Sequence, residues 1–74
     1  MPAHQGHRSW NAWNVSLWLN NDESLYRWAR DLAREHGAKR GAARLAIALA
    51  GERTPDGARF NVTCIREAMR GILD

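Results

Sequence analysis

Three His, one Cys and eleven basic residues, ten of them Arg, are the side chains through which this 74-residue chain could do chemistry. His4 and His7 offer two ligands at most and have no carboxylate near them, so they do not make a metal site. His36 falls in the last turn of an amphipathic segment, where an imidazole complements the helix dipole better than it serves catalysis. Cys64 has no second Cys at a ligand or redox spacing and reads as a small apolar core residue; if exposed, it would permit a disulfide-linked dimer. The chain has no Gly-x-Ser-x-Gly elbow, phosphate loop or convergent pair of carboxylates, so neither an enzyme nor a cofactor is expected.

The Arg residues are placed with more order. Arg27, Arg30 and Arg34 stand at i, i+3, i+7, Lys39, Arg40 and Arg44 follow, and Arg66 and Arg70 are four apart. Glu23 lies four residues before Arg27, and Asp31 and Glu35 are interleaved, which is the pattern of a solvated helix face with its own ion pairs. The functional reading makes Arg27, Arg30, Arg34, Arg40, Arg44, Arg66 and Arg70 a partner-binding surface, since guanidinium groups suit carboxylates and phosphates. Trp10 and Trp18 would join them as exposed anchors, because Trp and Arg are enriched among binding hot spots. A net charge of +3 does not by itself make a dedicated phosphate surface. A helix-turn-helix is also available: Ala33 and Gly37 have the spacing of its tight turn, with Lys39, Arg40 and Arg44 on the following helix. His36 stands where that motif wants an apolar residue, and Gly41 weakens the second helix.

Positioning these residues is the task of a very small core. The chain is 45% hydrophobic, but twelve of those residues are Ala, so the four Trp must supply much of the burial. One Cys excludes a disulfide framework. No apolar run approaches the roughly 18 residues of a membrane span, and the N-terminus lacks a signal-peptide centre, so a cytoplasmic protein is expected. Residues 1–9 are expected to be a flexible tail and 10–74 one helical domain.

Ser9 or Asn11 should cap a first helix with Trp10, Trp13 and Leu17 along one face, ending at Asn20-Asn21-Asp22. A second helix carries Leu25, Trp28, Ala29, Leu32, Ala33 and His36 on its apolar stripe and stops at Gly37. This stripe predicts that Trp28→Ala costs several kcal/mol. Residues 38–50 are rich in Ala and Leu on most sides and predict a central, most buried helix ended by Gly51. Thr54-Pro55-Asp56-Gly57 is a turn. Val62, Ile65, Met69 and Ile72 mark a last helix to Leu73, with Asn61 or Thr63 as cap. The expected fold is all-α, a compact bundle of about four short helices.

The stretch from Trp13 to Tyr26 contains Trp-x-Val-x-Leu-Trp-Leu-x-Asn-Asp-x-x-x-Tyr. It resembles the signature of a family of small phage, prophage and plasmid proteins. Members carry a Thr-x-x-Thr run before the first Trp, where this chain has Trp10-Asn11-Ala12 and lacks the capping hydroxyl. The resemblance covers about Trp10 to Glu35 and implies an origin on a mobile element rather than an activity. Small stand-alone helical proteins of such origin are often inhibitors of host defence, so the expected function is that of an inhibitor, in its most concrete form an anti-CRISPR protein that occludes a subunit of an interference complex. The expected partner is therefore a host protein complex, with nucleic acid secondary, no membrane, and a monomeric or homodimeric state. A small DNA-binding regulator built on the Ala33–Gly37 turn is the alternative.

Overall fold

The computed structural model describes residues 9–73; the expected tail, with His4 and His7, lies almost wholly outside them. Among the described residues there are three helical elements and no strand, where about four helices were expected. The first, α1, spans Trp10–Asn21; α2 spans Glu23–Ala48; α3 spans Val62–Leu73. The expected second and third helices are both present; they abut at Gly37 with no loop between them and are counted together as α2. Gly37 alone leaves helical geometry, at φ 82° and ψ 164°, and the chain is helical on both sides of it.

The caps follow from short polar side chains. Ser9 Oγ accepts the Ala12 amide and opens α1, so the hydroxyl absent from Trp10-Asn11-Ala12 is supplied one residue earlier. Asp22 ends α1 with its own amide on the Trp18 carbonyl and opens α2 by accepting the Leu25 amide. One residue therefore serves both helices, and α1 turns into α2 without a loop. Asn61 Oδ1 accepts the Cys64 amide at the start of α3. The segment between α2 and α3 makes a tight turn, in which the Gly57 amide reaches the Thr54 carbonyl at 2.8 Å around Pro55 and Asp56.

The core departs from the expected reliance on Trp. It is built from Ala12, Val15 and Leu19 of α1, Ala29, Ala33, Ala42 and Leu45 of α2, Ala58, and Cys64, Ile65, Ala68 and Met69 of α3. On α1 the buried set Ala12, Val15, Leu19 has the same i, i+3, i+7 spacing as Trp10, Trp13, Leu17 but is shifted by two residues. Two residues are about 200° around a helix, so the two stripes lie on opposite faces. The structure buries the small stripe and leaves Trp10 43% exposed, with Trp13, Leu17 and Trp18 half-buried.

On α2 the expected stripe is right in phase, with Ala29 and Ala33 buried and Leu25, Leu32 and His36 half-buried, but Trp28 stands at its margin, 42% exposed. Truncating Trp28 removes part of an indole's packing, not the whole of it. The segment after Gly37 is not the most buried helix either. It turns Gly41, Ala42 and Leu45 inward, while Ala43 and Ala48 face solvent and Ile47 is 78% exposed. Gly41 explains the corner in α2: a Cβ there would stand 2.9 Å from the Leu32 carbonyl oxygen and 3.1 Å from the Ala33 nitrogen. Helix backbone thus meets helix backbone with no side chain between. Cys64 is buried, so the disulfide-linked dimer that exposure would permit has no basis in this geometry.

Candidate protein-binding groove

The segment between α2 and α3 is held against α1 by side chains whose role the sequence does not advertise. Thr54 is buried; its hydroxyl donates to Asn14 Oδ1 at 2.6 Å and accepts the Ala58 amide at 2.9 Å. Asn14, also buried, donates through Nδ2 to Asp56 Oδ2 at 2.9 Å. The same carboxylate oxygen accepts the Trp18 indole N–H at 2.9 Å. Asp56 is thus the hub: the turn presents it, Asn14 fixes it, and it fixes the Trp18 ring. Hydrogen bonds from Asn14 and then Trp18 hold the Asp56 carboxyl below its ordinary value of 3.8, because both donors favour the charged form.

One turn earlier on α1, Asn11 clamps the backbone of Arg59. Its Oδ1 accepts the Arg59 amide at 2.8 Å and its Nδ2 donates to the Arg59 carbonyl at 2.9 Å. The loop is thus fixed at two points by two Asn residues three apart on one helix face.

This arrangement builds an open cleft of about 320 Å³ lined by Trp18, Leu25, Trp28, Leu49, Pro55 and Phe60, with Asp22, Glu52 and Arg53 at its edge. A second cleft of about 340 Å³ adjoins it, sharing Leu49, Glu52, Arg53 and Phe60 and adding Gly51, Arg59 and Asn61. Joined by these shared residues they form one groove, with Trp18 and Trp28 toward one end, Arg59 toward the other and Arg53 lining both. Among the described residues no three His, Cys, Asp or Glu side chains gather as a metal site would require. No helix is long and apolar enough to cross a membrane.

Of the expected contact residues, Trp18 lies in the groove and Trp10 lies outside its lining. Arg27 pairs with Glu23 along α2, as their four-residue spacing implies. Arg30 sits over the Tyr26 ring, 5.8 Å from its centroid, and 3.4 Å from Asp31. Arg34 is exposed on the same half of α2, while Lys39, Arg40 and Arg44 are exposed beyond the break at Gly37. Arg66 and Arg70 line a separate shallow cleft with Thr63 and Glu67 on α3. The groove instead draws on Arg53 and Arg59, which no helical period marks. Their signal lay in the turn, because a tight reversal at Thr54–Gly57 sets its flanking residues opposite one another.

These features define a small all-helical protein with an aromatic-lined surface groove. The chain belongs to a family of unknown function, DUF7249, which it matches over residues 2–74. No curated protein and no solved structure matches it.

Proposed function

We propose that this is a non-enzymatic interaction protein that captures a partner polypeptide in the groove and occludes the surface from which that segment comes. The observation that carries this reading is the placement of Trp18, Trp28 and Phe60 around one open cleft. A core that relies mainly on Ala, Val, Leu, Ile and Met leaves the Trp18 and Trp28 rings partly accessible for contact, and buried aromatic anchors dominate protein interfaces. The Trp18 ring is held by its bond to Asp56, so less ordering entropy is lost on binding.

The resemblance of Trp13–Tyr26 to a mobile-element signature supplies the setting: inhibition of a host defence system, most concretely an anti-CRISPR protein acting on an interference complex. Co-elution of the purified protein with a panel of purified interference complexes, coupled to a target-cleavage assay, tests this. Association and loss of cleavage are expected for the wild type, and at least a ten-fold weaker effect for Trp28→Arg, which changes an exposed ring. Absence of association across the panel overturns the defence role.

The DNA-binding alternative would use Lys39, Arg40 and Arg44 beyond Gly37. The helix-turn-helix joins its helices through three or four residues, whereas here a single residue departs from the helix. Fluorescence anisotropy with random duplex DNA at low salt separates the readings, since only the regulator binds with a steep salt dependence.

A further inference from the structure

Arg53 and Arg59 are directly opposed in an isolated antiparallel bridge. The Thr54 amide bonds the Ala58 carbonyl at 2.9 Å just inside this pair, and the Arg59 amide and carbonyl turn away from Arg53 to Asn11. That is the narrow, non-hydrogen-bonded kind of pair, with Cα atoms about 4.5 Å apart and both side chains on one face. Like charges directly opposite are destabilising in such a pair. Among the described residues neither Arg forms a salt bridge, and the Arg53 guanidinium donates only to a neutral acceptor, the Gly57 carbonyl, at 3.3 Å. The fold therefore sets two Arg side chains on one face at one cleft, and Glu52 is the one carboxylate that lines it with them.

We propose that Arg53 and Arg59 form a binding site for a carboxylate, and that the groove takes an acidic polypeptide segment with a large apolar side chain near an Asp or Glu. Planar guanidinium forks suit carboxylate oxygens in a bidentate way. Asn61 lies in the same cleft at the start of α3. Its side chain takes the Cys64 amide, and the other first-turn amides have no partner within the helix, so the positive end of α3 adds to the attraction. The Asn11 clamp on the Arg59 backbone fixes one side of the pair in advance of binding.

The adjoining aromatic end decides the class of occupant. Asp22 and Glu52 stand at its edge, and a nucleic-acid strand laid along the groove would bring its phosphates against both. A single carboxylate beside an apolar side chain meets the Arg pair and places uncharged surface against Trp18, Trp28 and Phe60. The carboxylate site stands on the bridge geometry and the cleft that both Arg line; its polypeptide occupant rests on the docking function proposed above.

The test is a backbone and indole amide NMR titration of the ¹⁵N-labelled chain with three probes at matched ionic strength. The probes are a ten-residue peptide with one Trp flanked by Glu, the same peptide with Gln for Glu, and the oligonucleotide dT8. The Glu peptide is expected to shift the amides of Arg53, Arg59 and Val62 together with the Trp18 and Trp28 indole signals. It should bind at least ten-fold tighter than the Gln peptide, and the double variant Arg53→Gln/Arg59→Gln should reduce that preference below two-fold. Equal affinity for the two peptides overturns the carboxylate site while leaving the groove. Shifts at Arg53, Arg59 and Val62 without any at the indoles leave the carboxylate site and overturn the groove as a docking surface. Tighter binding of dT8 than of the Glu peptide overturns the polypeptide occupant.

Discussion

Two joints give this chain its shape, and they are made in opposite ways. Where the loop meets α1, the contact is specified by side chains: Asn11 and Asn14 reach out, and Thr54, Asp56 and the Arg59 backbone answer them. Where α2 turns its corner, the contact is specified by their absence. Gly37 adopts a backbone geometry that essentially only Gly enters, and Gly41 lets one half of the helix touch the other. The first joint is a set of directional bonds and should fail piece by piece. The second is a steric fit and should resist any added atom.

Removing the Asn14 amide should have the largest effect. Asn14→Ala deletes two bonds and strands the buried Thr54 hydroxyl without its acceptor, at a cost of about 3 kcal/mol by chemical denaturation. Amide exchange at Gly57 and Ala58 should rise with it; an unchanged rate would mean that the turn holds itself and the seam is decorative. Gly37→Ala should cost about 2 kcal/mol, because the added Cβ meets open space but the backbone conformation is strained. A neutral result there would show that the corner can be made by ordinary residues.

Gly41→Ala is the subtler case, since the helix gains about 1 kcal/mol of intrinsic propensity while the Leu32 backbone must give way. A net loss of about 1 kcal/mol is expected, and a gain in melting temperature would show that the corner opens freely. The smallest effect is confined to acid. Asp56 has a lowered pKa in the folded state, so its contribution is complete above the ordinary value of 3.8 and fades as pH falls through the folded value. Asp56→Asn should flatten that part of the stability profile and leave the profile near neutrality parallel to the wild type.

The helices were legible because their signals are local. Ser9 and Asn61, each one of two expected candidates, cap α1 and α3, α1 stops at the expected Asn20-Asn21-Asp22, and the Thr54–Gly57 turn lies where Pro and Gly place it. The face of α1 was not legible. Trp10-x-x-Trp13-x-x-x-Leu17 and Ala12-x-x-Val15-x-x-x-Leu19 satisfy the same period, and residue size favoured the wrong one. What decided between them is close packing, because Ala12 allows neighbouring elements to approach in a way an indole does not. The groove was illegible for a related reason: Trp18 comes from α1, Trp28 from α2, and Arg53 and Phe60 from the segment before α3, and no helical period relates them.

By itself, then, the sequence determined that the chain is helical, where its helices start, and where it must turn, since capping bonds and φ preferences act within a few residues. Only the tertiary structure decided how sharply the chain turns at Gly37, that the Trp residues stay near the surface, and that Arg53 and Arg59 share a cleft. Those outcomes depend on which surfaces exclude each other's atoms and which distant polar groups meet, and such interactions exist only after the chain has folded back on itself.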